Sequence, residues 1–129
     1  MVMDINKLSS KIISVAIEVH KALGPGLLES AYEECMCYEF RLRDFGFERQ
    51  KTVPIIYKGN NLDCGYRLDI IVENVIILEL KSCEKIDPIH KAQLLTYLKL
   101  SGLKLGLLLN FNVPLMREGI TRIVSKLDE

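Results

Sequence analysis

The sequence lacks an excess of charge of either sign, since its 17 Lys and Arg residues are balanced by 17 Asp and Glu residues. A neutral domain has no overall positive field to attract nucleic acid, so a role in binding nucleic acid would need a local basic rim or a bound metal ion. The sequence also has no apolar run of membrane-spanning length and no basic-then-apolar segment at its start. These absences predict a cytoplasmic protein that is neither exported nor inserted in a membrane.

The cysteines lack the spacing of a metal-binding motif. Cys35, Cys37, Cys64 and Cys83 form no C-x-x-C pair, and on a helix the first two would point in different directions. Reduced cysteines of an intracellular protein are therefore expected instead of a zinc or iron–sulfur site.

The chain also lacks repeats, low-complexity tracts and linkers. Its 129 residues are 49% hydrophobic and 26% charged, which is an ordinary globular balance. One domain spanning residues 1–129, with a genuine hydrophobic core, is expected.

Apolar periodicity and capping residues predict three helices. The first ends at Gly24 and has Ser9 or Asn6 available as its cap. The predicted helices cover residues from about 8 to 23, 28 to 45 (ended by Gly46) and 88 to 101 (opened by Asp87-Pro88 and closed by Gly102).

Four segments have strand character, and turn signals separate the first three. Pro54 makes an edge position or a bulge expected in the first of them. The segments are 52–57, 64–72, 75–81 and 103–111, whereas the tail 119–124 could be a last strand or a helix end. The predicted fold class is α/β: a mixed sheet of about four strands flanked by helices, in the order α-α-β-β-β-α-β, with a parallel crossover through the third helix.

Three charged residues interrupt the apolar stretch LDIIVENVIILELKS at 68–82. Glu79 and Lys81 share one face of their strand because side chains alternate, but the position of Asp69 depends on the hairpin register. A two-residue loop would turn Asp69 away from Glu79, whereas the three-residue loop 73–75 or a bulge would set the two opposite each other.

In the second register, two carboxylates would stand roughly 5 Å apart at their β-carbons. Their repulsion would raise one pKa unless a cation neutralises them, and their oxygen atoms suit Mg²⁺ or Mn²⁺. Lys81 could then hold a phosphate oxygen or favour deprotonation of a water molecule, and the metal would activate that water. The alternative is a solvated ion pair at the end of the sheet, without a function.

Two further patterns contain polar residues at helical spacing. Glu29 and Tyr32 occur in G-x-x-E-x-x-Y (26–32), where a first-turn acid can simply stabilise the helix and the tyrosine can belong to the core. Gln93 and Tyr97 are spaced i, i+4 and share a helix face. His20 lies near the end of the first helix, where it could interact with the helix dipole or contact a phosphate.

Taken together, these residues resemble the GxxExxY protein family, a branch of the PD-(D/E)XK nuclease superfamily. Four stretches carry the resemblance, which extends from about residue 13 to 124: VHKALGPGLLESAY (19–32), YRLDIIVENVIILELKS (66–82), AQLLTYLK (92–99) and LGLLLNF (105–111). The resemblance implies a restriction-endonuclease-like core whose second and third strands carry the site.

The resemblance also assigns roles to residues. The acidic pair of the superfamily corresponds to Asp69 and Glu79, its lysine to Lys81, and its helix-borne acid to Glu29. Gln93 and Tyr97 match a Q-x-x-x-Y element, and Leu68 replaces the proline that usually precedes the aspartate.

The leading hypothesis is therefore a Mg²⁺- or Mn²⁺-dependent phosphodiesterase that cleaves nucleic acid, with DNA as the expected substrate and a homodimer as one option. The expected metal ligands are Asp69, Glu79, Glu29 and the Leu80 carbonyl; Lys81 would act on the water, and Gln93 would orient the lysine or the substrate. Tyr97 and His20 would contact the substrate. One alternative is a non-catalytic module of the same fold that binds nucleic acid or protein; the other is an interaction subunit in which Glu79 and Lys81 form a structural ion pair.

Overall fold

A computed structural model describes residues 4–125, which form three helices, a mixed five-stranded sheet and a separate two-stranded hairpin. The helices are α1 (Ile5–Leu23), α2 (Glu29–Leu42) and α3 (Pro88–Ser101). The strands are β1 (Phe47–Thr52), β2 (Ile55–Tyr57), β3 (Asn60–Leu62), β4 (Arg67–Val72), β5 (Ile76–Lys81), β6 (Leu105–Asn110) and β7 (Ile120–Val124), and a 3₁₀ turn (Met116–Gly119) precedes β7.

The main sheet has the order β1-β4-β5-β6-β7, and the prediction of an α/β fold with a mixed sheet is confirmed. Strands β4 and β5 form an antiparallel hairpin, β5 and β6 pair in parallel through α3, and β7 adds an antiparallel edge. The tail therefore ends in a strand, which periodicity had left undecided.

About four strands were expected in the main sheet and five are present, because β1 at one edge was not predicted and β7 at the other was left undecided. The predicted strand 52–57 is divided at Val53-Pro54 into β1 before and β2 after, since proline cannot donate a ladder hydrogen bond. Most of β1 was not predicted as a strand, because its sequence FERQKT is polar and shows no apolar alternation.

Two helix boundaries also differ from expectation. Asp4, not Ser9 or Asn6, caps α1: its carboxylate accepts hydrogen bonds from the N–H groups of Asn6 (3.0 Å) and Lys7 (3.2 Å). Helix α2 ends at Leu42 instead of 45, because Asp44 already adopts a left-handed conformation (φ 57°) before Gly46 is reached.

The two faces of the sheet differ in how they are covered. Helices α1 and α2 bury the larger core, whose aromatic members include Tyr32, Phe40 and Phe111; this side is called the α1–α2 face. Helix α3 covers a smaller cluster containing Ile77, Leu94 and Tyr97, called the α3 face.

Candidate active site

The hairpin of β4 and β5 adopts the register that the site requires. Val72 pairs with Ile76 and Ile70 with Leu78, so the three-residue loop is confirmed and the two-residue alternative is wrong. Glu73 and Asn74 in this loop both have φ 54°, the left-handed conformation that such a turn needs.

The antiparallel ladder ends one step before the acidic pair. The next positions after Ile70 and Leu78 are Asp69 and Glu79, which the register sets opposite each other. Here the Asp69 carboxylate accepts a hydrogen bond from the N–H of Leu80 (2.8 Å). The Asp69 side chain thus provides the acceptor for a strand N–H beyond the end of the paired segment, and this bond fixes the direction of its carboxylate.

Glu79 is the most electrostatically perturbed residue of the site. It is only 8% exposed, and its Oε1 atom is buried without a hydrogen-bond partner among residues 4–125. Burial, followed by the charge of the nearby Asp69, raises the pKa of Glu79 to about 9, and Lys81 only partly opposes this shift. A buried acceptor without a partner is costly, so this oxygen is suited to a ligand.

Lys81 follows Glu79 on the same strand face and influences its charge without pairing with it. None of the ion pairs within residues 4–125 includes Lys81 or Glu79. The structural ion pair that was one alternative for these two residues is therefore not formed.

The donor set of the pair fits a hard divalent cation. Two carboxylates, one of them with an unsatisfied buried oxygen, offer the oxygen ligands that Mg²⁺ and Mn²⁺ prefer. A third acidic ligand does not join them, because residues 4–125 contain no group of three or more His, Cys, Asp or Glu side chains arranged to hold a metal ion. A bound ion would therefore rely on backbone oxygen, water and substrate for its other ligands.

The predicted third acid, Glu29, is the first residue of α2 and is exposed, with no hydrogen bond to another residue of the described segment. The loop before it is nevertheless fixed close to the end of β5. The Ser82 hydroxyl donates to the carbonyl of Leu27, and the Tyr32 hydroxyl donates to Gly24 O (2.5 Å) and accepts from Leu27 N–H (3.2 Å). Tyr32 therefore acts as a fully buried support for the loop, in agreement with the expectation that it belongs to the core.

A polar connection between α2 and Asp69 was not predicted from the sequence. Gln50 on β1 donates through Nε2 to Glu33 Oε1 (2.9 Å), and the same atom lies 3.5 Å from Asp69 Oδ1. Glu33 is buried and also pairs with Arg49. The i, i+4 spacing of Glu33 from Glu29 was a usable signal, but Gln50 could not be found because β1 itself was not expected.

Tyr97 and Gln93 line one groove on the α3 face. Burial first, and then the charges of Glu79, Tyr66 and Asp69, raise the pKa of Tyr97. Gln93 is exposed one turn earlier on α3. The predicted common face of Gln93 and Tyr97 is thus present, although only Tyr97 is buried.

His20 has structural contacts. It is 7% exposed, and its Nε2 donates to the carbonyl of Val113 (2.8 Å), which links the end of α1 to the segment after β6. Among the described residues, it makes no hydrogen bond or ion pair with the acidic pair or Lys81. A role for His20 in substrate contact stays a prediction.

Two further observations concern the cysteines and the helices. Cys35, Cys37, Cys64 and Cys83 are all free thiols. No helix within residues 4–125 combines the length and apolarity needed to cross a membrane.

Comparison with known proteins identifies the family. No curated protein sequence and no solved structure is significantly similar to the chain. A family model, however, described as the PD-(D/E)XK nuclease superfamily, matches residues 6–123, which include the acidic hairpin, α3 and all five strands of the main sheet except the last residue of β7. With a restriction-endonuclease-like arrangement of helices and mixed sheet, the chain belongs to the PD-(D/E)XK nuclease superfamily.

Proposed function

We propose that this chain is a metal-dependent phosphodiesterase that hydrolyses nucleic acid through Asp69, Glu79 and Lys81. The observation that carries the proposal is the unsatisfied, buried Oε1 of Glu79 beside a second carboxylate. Without a cation, this arrangement is unfavourable, because two neighbouring acids and one orphan acceptor are held in a poorly solvated place. Membership of a nuclease superfamily supports the same reading.

The cation would be Mg²⁺ or Mn²⁺, held by Asp69, Glu79 and the backbone carbonyl of Leu80. Glu29, at the start of α2, would assist only through a bound water or the substrate, because no third acidic side chain joins the pair within residues 4–125. When bound, the cation supplies a coordinated water of lowered pKa and stabilises charge on phosphoryl oxygens.

The protein groups have separate tasks. The Leu80 N–H keeps the Asp69 carboxylate aligned through Oδ2, and Oδ1, whose contact with Gln50 Nε2 is long at 3.5 Å, would bind the ion. Lys81 extends from the same strand face, where its ammonium group would bind a phosphate oxygen or favour deprotonation of the attacking water. Gln93 would orient Lys81 or the substrate, and Tyr97 would contact the substrate beside the carboxylates.

A non-catalytic binding module is the second candidate. One specific observation favours it: no third acidic side chain joins Asp69 and Glu79 within residues 4–125. A site with two carboxylates can be too weak a metal site for turnover while still binding a phosphate backbone through an ion.

The test is hydrolysis of labelled single-stranded DNA, duplex DNA and RNA with Mg²⁺ or Mn²⁺, compared with the same reactions in EDTA. Asp69→Asn and Lys81→Ala should each reduce the rate by about a hundredfold or more, as removal of one transition-state-stabilising group commonly does. Asp44→Asn makes the same chemical change in the exposed turn after α2 and should leave the rate unchanged. Equal, metal-independent rates in all four proteins would contradict the proposal, and binding without cleavage would favour the second candidate.

DNA as the preferred substrate, a homodimeric state, a cytoplasmic location and membership of the GxxExxY branch belong to the same proposal. The three substrates of the assay test the first, and light scattering tests the second.

A further inference from the structure

A groove of about 310 Å³ lies on the α3 face, the face of the sheet to which Glu79 and Lys81 also belong. Tyr97 lines this groove from α3, and the charges of Glu79 and Asp69 contribute, after burial, to raising its pKa. The volume of the groove is at the lower end of the range for small-molecule sites, which is about 300–1,000 Å³.

The side chains of the groove match a planar, uncharged ligand group. Ile55, Tyr66, Ile89 and Tyr97 contribute apolar and aromatic surface, and no lining residue is charged. Gln93 is the main polar exception, and its amide makes no hydrogen bond with another residue of the described segment. A carboxamide offers both donors and an acceptor, which is what the edge of a nucleobase requires.

Tyr66 has an exposed ring that could stack on a planar group. Its ring meets that of Tyr97 edge to face, with centroids 6.0 Å apart and planes at 64°, and it is 39% exposed. Its backbone is held in place, because the carbonyl of Tyr66 accepts a hydrogen bond from Val53 N–H (2.9 Å) at the start of β4. This hydrogen bond follows directly after the Thr52–Arg67 pair of β1 and β4 and holds the backbone of Tyr66 at the edge of the sheet.

From this juxtaposition we propose that the groove holds one unpaired nucleobase of the substrate, stacked on Tyr66, while the adjoining phosphate lies at Asp69, Glu79 and Lys81. This proposal rests on the proposed function and specifies its substrate as single-stranded nucleic acid or an unpaired end. A paired base is stacked inside its duplex and cannot enter such a groove unless it is extruded. Stacking on an aromatic ring is largely independent of base identity, so little sequence preference is expected.

The separation of charge supports this occupant over an apolar side chain of another protein. A nucleotide has an anionic part and a flat, uncharged part directly joined to it. The acidic pair and Lys81 share the α3 face of the sheet with an uncharged groove that contains aromatic side chains. The anionic part of a nucleotide would therefore lie at the charged residues and its base in the groove, whereas an apolar protein side chain would occupy the groove alone.

The experiment measures equilibrium binding in EDTA, where no metal-dependent cleavage occurs. The three probes have the same length: a short thymidine oligonucleotide, an oligonucleotide with an intact backbone and no bases, and a duplex. Tyr66→Ala should weaken binding of the thymidine probe about fivefold or more, as expected for one lost base–aromatic stack. It should leave binding of the base-free probe unchanged, and wild type should prefer the thymidine probe to the duplex.

Two variants provide the controls. Tyr66→Phe keeps the ring and should bind like wild type. Tyr38→Ala removes a more exposed tyrosine (59% against 39% for Tyr66) from α2, on the opposite side of the sheet, and should have no effect. Equal weakening of the thymidine and base-free probes by Tyr66→Ala, or no preference for the thymidine probe over the duplex, would overturn the groove proposal.

The outcome is independent of whether the chain is a nuclease. If Asp69→Asn cleaved as fast as wild type while the Tyr66 effect on the thymidine probe persisted, the proposed catalytic site would be wrong and the base-binding groove would stand. The reverse result is metal-dependent cleavage with no effect of Tyr66→Ala on binding. It would support the proposed nuclease activity and contradict the proposed base-binding groove.

Discussion

The two faces of the sheet carry different side chains from the same strands. On the α1–α2 face, the side chains of β5 are Ile76, Leu78 and Leu80, all essentially inaccessible. On the α3 face, the intervening residues are Ile77, then Glu79 and Lys81, so the face changes from apolar to ionisable toward the end of the strand.

The difference shows where a small domain can accommodate an unfavourable group. The α1–α2 face provides the larger apolar core, and its hydrogen-bonding groups at Tyr32 are satisfied. The α3 face leaves one buried carboxylate oxygen of Glu79 unsatisfied. We infer that the first face stabilises a fold in which the second retains a strained, ligand-ready site, a division often found at functional sites.

The largest expected effect tests the stabilising face. Phe111→Ala should lower the free energy of unfolding by about 3–5 kcal/mol, since a fully buried ring is replaced by a cavity. The ring also loses its stacking on Tyr32, whose centroid lies 4.3 Å away. Urea denaturation measures the change, and Leu115→Ala, at a residue that is 51% exposed, is the control and should change the free energy by less than about 0.5 kcal/mol. A loss no larger than that of the control would contradict the assignment of this face as the main core.

The next expected effect is an increase in the free energy of unfolding, on substitution of Glu79, and it tests the α3 face. The pKa of Glu79 is raised in the folded chain from an ordinary value of 4.5 to about 9, so between these pH values the folded state holds a proton that the unfolded state releases. The free energy of unfolding should therefore fall as the pH rises from about 4.5 to about 9 when a chelator is present.

Glu79→Gln removes this titration. At pH 8 without metal, the variant should be more stable than wild type by at least about 1 kcal/mol, and its stability should depend less on pH. Urea denaturation over a pH series measures both, and Glu84→Gln, at an exposed position, should follow the wild-type profile. Parallel profiles for wild type and Glu79→Gln would show that the carboxyl of Glu79 is not held in a poorly solvated place.

The smallest effect compares the two motif tyrosines. Tyr32→Phe removes a hydroxyl that bonds Gly24 and Leu27 and should cost about 1 kcal/mol of unfolding free energy. Tyr97→Phe removes a hydroxyl that has no hydrogen bond within residues 4–125 and should change stability by less than about 0.5 kcal/mol. Thermal denaturation of both variants gives the comparison, and equal losses would contradict the assignment of Tyr32 alone as the support of the loop.

Much of the fold followed from local patterns. Apolar periodicity and glycine stops located all three helices, and runs of apolar residues located the central strands β4, β5 and β6. The edges were missed or misjudged, because β1 is polar and β7 short, so neither carries a strong period. An edge strand is defined by its partner more than by its own composition.

The candidate site divides in the same way. Alternation along β5 was enough to place Glu79 and Lys81 on one face, because the direction of side chains is a property of the strand itself. The register that brings Asp69 to Glu79, the hydrogen bond from Leu80, and the groove that Tyr97 lines depend on contacts between elements. The sequence alone determined the helices, the central strands and the residues able to perform the chemistry. Only the tertiary structure decided which of them meet and which oxygen stays unsatisfied, because distances, burial and pKa values arise from packing and not from order along the chain.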